Sequence, residues 1–93
     1  SDTTIAPQAL YLMNSPLVLR TTATVAKQLL AEKKLNNAQR VERLYAKVYN
    51  RKPTAKESKR TVAFVNEFCE EQQASWQALY QALISSNEFL YLK

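Results

Sequence analysis

The spacing of apolar residues in two separate segments constrains the fold of this chain more than any other feature. In both segments the apolar residues recur at intervals of three and four, which places them on one side of an α-helix. The two sets are Val41, Leu44, Tyr45 and Val48, and then Trp76, Leu79, Tyr80, Leu83 and Ile84. The chain also has no glycine, which argues against a hairpin-rich β fold because tight hairpins favour glycine at positive φ.

Cap-forming residues divide the chain into five predicted helices, of which the first runs through residues 7–13. The expected N-caps, in chain order, are Thr3 or Thr4, Ser15, Asn37, Thr54 and Ser75. Thr54 and Glu57 have the spacing of a capping box, in which each side chain bonds the backbone amide of the other residue. We expect the second helix to reach about Lys33, and Asn50 to end the third helix in the left-handed conformation.

The pattern predicts an all-α fold, a compact bundle of about five short helices that forms a single domain over residues 1–93. Further residues expected to face the core are Val18, Val25, Leu29, Leu30, Val62, Val65, Phe68 and Cys69. Trp76 and the tyrosines are expected in the core with their polar tips outward. The apolar residues 89–92 are expected to dock back on the bundle.

The composition argues against catalysis by this domain. The chain has no histidine and one cysteine. It therefore lacks a histidine-based nucleophile system, a histidine metal ligand and an internal disulfide. We expect no enzymatic activity and no cofactor in this domain. No segment predicts a membrane span, and the N-terminus lacks the basic start and apolar centre of a signal peptide.

Three segments in order resemble a known family. They are residues 7–16 (PQALYLMNSP), 51–57 (RKPTAKE) and 76–89 (WQALYQALISSNEF). Together they resemble the C-terminal domain of unknown function of large planctomycete-type proteins that carry cytochrome-c-like domains. The resemblance implies a periplasmic or otherwise exported parent protein, with this chain as its C-terminal fragment. It implies no catalytic residue here, and the haem motif Cys-x-x-Cys-His is absent from this chain.

A second resemblance rests on fewer residues. The turn that begins at Arg51 and contains Pro53 and Glu57, followed by Glu88 and Phe89, is similar to helical modules of phycobilisome linkers and of some secreted repeat proteins. The early block 7–16 favours the first family. In both families the shared residues fit a structural role.

Arg51, Glu57 and Glu88 form a candidate polar cluster where the third helix, the fourth helix and the C-terminal tail are expected to meet. One interpretation is a pocket that binds an anion or a partner. The other is a structural tie in which Arg51 binds a carboxylate of the turn, at two points if the geometry allows. We favour the structural tie because Glu57 already has a predicted capping role.

A candidate basic face consists of Lys47, Lys52, Lys56, Lys59 and Arg60. Residues 27–60 hold eleven basic and three acidic residues, a net charge of +8, whereas residues 61–92 hold four glutamates and no basic residue. Such a face can bind an anionic polymer by releasing counterions. We favour a solvated face or a surface that is complementary to another domain, because no recognition-helix pattern accompanies the charge and nucleic acid is therefore not the expected partner.

These observations predict a non-catalytic structural or protein-interaction module of an exported multidomain protein. Its expected partners are the other domains of the parent chain or a separate protein. Two alternatives remain open. The domain either binds polysaccharide or another anionic polymer through the basic face, or it supports an active site that lies elsewhere in the parent chain.

Overall fold

The computed structural model describes residues 15–86, which form four α-helices and no strand. The helices are α1 (Pro16–Ala31), α2 (Asn37–Tyr49), α3 (Ala55–Glu67) and α4 (Gln72–Ile84). The all-α prediction is confirmed, while the expected count of about five is one higher than the four helices described. The additional predicted helix, residues 7–13, and the tail 89–92 lie outside the described residues.

Local caps set most of the helix starts. Ser15 caps α1, with its Oγ accepting from the Val18 amide at 3.2 Å and Pro16 in the first turn, as the sequence predicts. A capping box between Thr54 and Glu57 starts α3. Asn50 ends α2 with φ 58° and ψ 37°, the left-handed conformation expected from its sequence position.

Three predicted helix boundaries are wrong. The cap of α2 is Asn36 and not Asn37, because Asn36 alone has a partner for a capping box, Gln39, three residues later. Ser75 lies inside α4, where its hydroxyl donates to the Glu71 carbonyl oxygen at 3.3 Å, so this serine bonds back one turn instead of capping. The second predicted helix, observed as α1, ends at Ala31 instead of Lys33.

A side chain of α2 bonds the C-terminal end of α1. Arg40 donates from Nε to the Leu29 carbonyl oxygen at 3.1 Å and from Nη2 to the Glu32 carbonyl oxygen at 3.3 Å. These bonds satisfy carbonyl groups that have no partner inside the helix. Arg40 therefore stabilises the C-terminal end of α1.

The core is built around α4, which contacts all three other helices and packs most extensively on α1. The buried apolar residues of the core are Val25, Ala26, Leu29, Val41, Leu44, Tyr45, Val65, Trp76, Leu79, Tyr80 and Leu83. Both apolar stripes read from the sequence thus supply core residues. A polar contact adds to the packing of α4 on α1: Gln77 Nε2 donates to the Leu19 carbonyl oxygen at 3.1 Å and to Thr22 Oγ1 at 3.2 Å.

Two expectations about core positions are wrong. Phe68 is 52% exposed and its ring lies 5.1 Å from that of Phe64, because the chain leaves α3 at this point to enter α4. Trp76 is fully buried and its indole Nε1 has no hydrogen-bond partner within residues 15–86, so its polar tip does not point outward. Cys69 is half-buried, and its thiol donates to the Glu71 carbonyl oxygen at 3.3 Å.

Candidate functional site

The turn between α2 and α3 brings four residues together, Tyr45, Tyr49, Arg51 and Glu57, which we call the Arg51 junction. The left-handed conformation of Asn50 reverses the chain just after α2, so Arg51 folds back over the last turn of that helix. Its guanidinium carbon lies 5.5 Å from the ring centre of Tyr45 and 5.2 Å from that of Tyr49. Both distances fit a cation–π contact.

The same guanidinium binds Glu57 at two points. Arg51 Nη1 donates to Glu57 Oε1 at 2.9 Å, and Nη2 donates to Oε2 at 3.1 Å. Glu57 Oε1 also accepts from the Thr54 amide at 2.9 Å, as the capping box requires. These contacts lower the pKa of Glu57 from 4.5 to about 2. The hydrogen bond from Arg51 is the largest cause, and the hydrogen bond from the Thr54 backbone is the next.

Tyr49 extends the junction to the end of α4. Its hydroxyl donates to the Leu83 carbonyl oxygen at 3.0 Å and lies 2.6 Å from Ser86 Oγ. The rings of Tyr45 and Tyr49 pack edge to face with centres 5.1 Å apart. Burial of Tyr45 raises its pKa above 10.0, and the charge of Glu57 raises it further. The junction therefore ties α2, α3 and the end of α4 to one another.

Two members of the candidate polar cluster are brought together by the fold. Arg51 and Glu57 form a two-point ion pair, with side chains 36% and 25% exposed. The third member, Glu88, lies outside the described residues. An arrangement of this kind positions helices, and within residues 15–86 no group of three histidine, cysteine, aspartate or glutamate side chains is placed to hold a metal ion.

The basic face contrasts with the junction because all five of its residues are exposed. Lys56, Lys59 and Arg60 follow one another at i, i+3 and i+4, so they share one side of α3. The ion pairs found within residues 15–86 are Arg43–Glu32 and Arg51–Glu57, and neither involves the basic face. Its positive charge is therefore not neutralised inside the described part of the chain.

An open groove lies between α1 and α2, which make few direct contacts with each other. Its volume is about 680 Å³. The lining residues are Val25, Gln28, Leu29, Ala31 and Glu32 from α1, and Arg43, Ala46 and Lys47 from α2. The sequence does not indicate this groove, because each helix has an ordinary amphipathic pattern and the gap depends on how both helices pack on the rest of the bundle.

Within the described residues, no helix has the length and apolar content needed to cross a bilayer. The candidate functional features of the described residues are the basic face, the Arg51 junction and the α1–α2 groove.

Comparison with known proteins identifies the family. The family model described as PSD1, a protein of unknown function (DUF1553), matches residues 1–65, which is more than half of the chain. The chain therefore belongs to the PSD1 family, and the expected resemblance to a domain of unknown function is confirmed. No curated protein and no solved structure shows a significant match to the chain.

Proposed function

We propose that this member of the PSD1 family is a non-catalytic module that holds a protein partner or another domain of its parent chain against its basic face. The observation that supports this function most is the contrast within α3. Glu57 of α3 is bound by Arg51, whereas Lys56, Lys59 and Arg60 on the exposed side of the same helix have no acidic partner among residues 15–86.

An unneutralised cluster of this kind favours association with an acidic surface. Like charges at i, i+3 and i+4 of a helix repel one another and give no stability to the fold. A complementary acidic partner would relieve that repulsion and would be steered toward the face before contact. The proposed partner surface is therefore acidic and matches the exposed side of α3.

The setting of the module is part of the proposal. The resemblance in residues 7–16, 51–57 and 76–89 supports a planctomycete-type parent protein that is exported and carries cytochrome-c-like domains. In that setting the module sits at the C-terminal end and contributes neither a cofactor nor a reactive side chain. Sequencing the complete gene tests this setting directly, since a Cys-x-x-Cys-His motif upstream would support it.

The test of the docking function compares association before and after charge reversal. The 93-residue chain is titrated with the remainder of its gene product, first as wild type and then with Lys56, Lys59 and Arg60 exchanged for glutamate. We expect the triple exchange to weaken association by about tenfold or more, and added salt to weaken the wild-type complex. The matched control exchanges three exposed residues outside the basic face, Arg20, Lys27 and Lys34, for glutamate.

A second candidate function is supported by the alignment of Lys56, Lys59 and Arg60 along α3. A row of exposed cations also suits polysaccharide or another anionic polymer. Heparin and alginate fragments serve as probes. Binding that falls steeply with salt and occurs without any association with the parent chain would favour the polymer over the protein partner.

A further inference from the structure

We infer that the α1–α2 groove is the docking site for an amphipathic helix with acidic flanks, supplied by the partner that this module holds. The groove is distinct from the exposed side of α3 and shares with the basic face only Lys47. This docking role rests on the proposed interaction function and specifies the chemistry of the partner. The shape, the lining and the charge of the groove each support it.

The shape of the groove suits a helix. Val25, Gln28, Leu29 and Glu32 stand at i, i+3, i+4 and i+7 along α1, so one continuous helical face forms the first wall. Arg43, Ala46 and Lys47 stand at i, i+3 and i+4 and form the second wall from one face of α2. A helix that lies between two helical walls packs its own side-chain ridges into their grooves.

The dimensions set the length of the partner segment. From Val25 to Glu32 the first wall spans seven residue steps, about 10 Å at a rise of 1.5 Å per residue. Two turns of a partner helix cover this distance. Its apolar residues at i, i+3 or i+4, and i+7 would then reach the groove, which is the usual pattern of a helix docked in a groove.

The lining separates an apolar floor from a charged rim. Val25 and Leu29 form the floor, Ala46 lines the α2 wall, and Glu32, Arg43 and Lys47 carry charge. The Glu32 carboxylate is bound by Arg43 Nη1 at 2.9 Å. Glu32 and Arg43 therefore neutralise each other. Lys47 is the rim cation that has no ion pair within the described residues.

The lining carries a net positive charge. Arg43 and Lys47 are opposed by Glu32 alone among the lining residues. A helix that brings carboxylates beside its apolar stripe meets this charge on entering the groove, whereas a helix with lysine flanks is repelled. An acidic amphipathic helix is therefore the occupant that fits both the floor and the rim.

A small molecule fits this site less well. Ligand pockets combine apolar walls with a few inward-directed polar groups that fix the ligand's orientation. In the α1–α2 groove the polar groups are exposed side chains of the rim, of which Arg43 is engaged with Glu32. The apolar floor between two helical walls favours a helix as the occupant.

The experiment uses the 93-residue chain and two synthetic helical peptides. Both peptides are constrained by side-chain lactam bridges and carry leucine at i, i+4 and i+7. One has glutamate on its flanks, and the other has lysine at the same positions. Binding is followed by fluorescence anisotropy, and the site is mapped by amide chemical shifts. We expect the glutamate peptide to bind about tenfold or more tightly than the lysine peptide, with shifts confined to both walls of the groove.

Two pairs of variants locate the site on the protein. Ala46→Trp fills the groove from an exposed position, and Ala38→Trp places the same ring on an exposed position of α2 that does not line the groove. We expect Ala46→Trp to abolish binding and Ala38→Trp to leave it unchanged. Lys47→Glu should weaken binding by several-fold or more, whereas Lys59→Glu, outside the groove, should change it by less than about twofold. Thermal melting of each variant verifies that it is folded.

Three results would overturn the groove as the docking site: no binding of the glutamate peptide, binding that survives Ala46→Trp, or equal binding of poly-glutamate that lacks leucine. None of them removes the proposed docking function, which depends on the titration of the chain with the remainder of its gene product. If that titration fails while the glutamate peptide still binds in the groove, the groove is supported and the basic face is not the docking surface.

Discussion

Two regions along α3 use charged residues in opposite ways. At the start of the helix Glu57 is bound at two points by Arg51, accepts the Thr54 amide, and has a side chain that is 25% exposed. In the basic row, Lys56, Lys59 and Arg60 are exposed and have no acidic partner among the described residues. The difference shows that a charge stabilises the fold only where the tertiary structure delivers a partner with fixed geometry.

Replacing Arg51 by alanine should have the largest effect, because it removes the ion pair with Glu57 and the contacts with both tyrosine rings. We expect Arg51→Ala to lower the free energy of unfolding by about 2–3 kcal/mol. Arg51→Lys should lower the free energy of unfolding by less than Arg51→Ala does, since lysine keeps the charge but lacks the planar fork of the guanidinium. Urea denaturation measures these changes. Lys52→Ala is the matched control, and an equal loss there would contradict the special role of Arg51.

Replacing Glu57 by glutamine separates the ion pair from the cap, because glutamine also suits the third position of a capping box. We expect Glu57→Gln to cost about 1–2 kcal/mol at neutral pH. Unfolding is measured by circular dichroism in urea. The loss of stability in Glu57→Gln is compared with that in Asn36→Ala, which removes a cap without affecting an ion pair.

The stability of the wild-type protein should depend on pH through Glu57. Its pKa is lowered to about 2 in the folded state from 4.5, so the folded state favours the ionised carboxylate. The stability from this shift is present above about pH 4.5 and is lost as the pH falls toward about 2. In Glu57→Gln this part of the acid dependence should disappear. Glu42→Gln, at an exposed position of α2, serves as the control. If Glu57→Gln lost stability at low pH as steeply as the wild type does, Glu57 would not be the source of the acid dependence.

The cap of α3 should contribute less than the ion pair. Thr54→Ala removes the hydroxyl that accepts from the Glu57 amide at 3.1 Å, and we expect a loss of about 1 kcal/mol. Asn36→Ala in the cap of α2 should cost a similar amount, since both caps are local. Thermal melting of the two variants provides the comparison. A much larger loss in Thr54→Ala would mean that the Arg51 junction depends on the cap.

The smallest change is expected on the exposed side of α3. Exchanging Lys56, Lys59 and Arg60 for alanine together should alter the free energy of unfolding by less than about 0.5 kcal/mol, and relief of their mutual repulsion can make the change favourable. Thermal melting at low and high salt measures the effect. A large loss of stability would show that the basic face supports the fold and would remove the contrast between Glu57 and the exposed cations of α3.

Local features of the structure were readable from the sequence for a physical reason. The Ser15 cap, the Thr54–Glu57 box and the left-handed Asn50 each depend on residues within a few positions of one another. The errors at Asn37 and Ser75 are also local. Asn36 caps α2 because Gln39 completes its capping box. Helix α4 begins before Ser75, and the Ser75 hydroxyl donates to the Glu71 carbonyl oxygen one turn back.

The candidate site was readable in part. The sequence placed Arg51 and Glu57 in one candidate cluster and allowed a two-point bond from Arg51 to a carboxylate, but it did not specify which carboxylate. The contacts of Arg51 with Tyr45 and Tyr49 were not predicted, because they require the reversal of the chain after α2. The link from Tyr49 to Leu83 joins residues that are 34 positions apart, and nothing local indicates it.

By itself the sequence determined that the described chain is helical, which residues make the apolar stripes, and where α1 and α3 begin, because these properties depend on spacing and on neighbouring residues. The tertiary structure decided that Arg40 bonds the C-terminal end of α1, that Phe68 is exposed, and that α1 and α2 leave a groove between them. Those outcomes depend on contacts between residues that are distant in the chain, and such contacts exist only once the helices have packed.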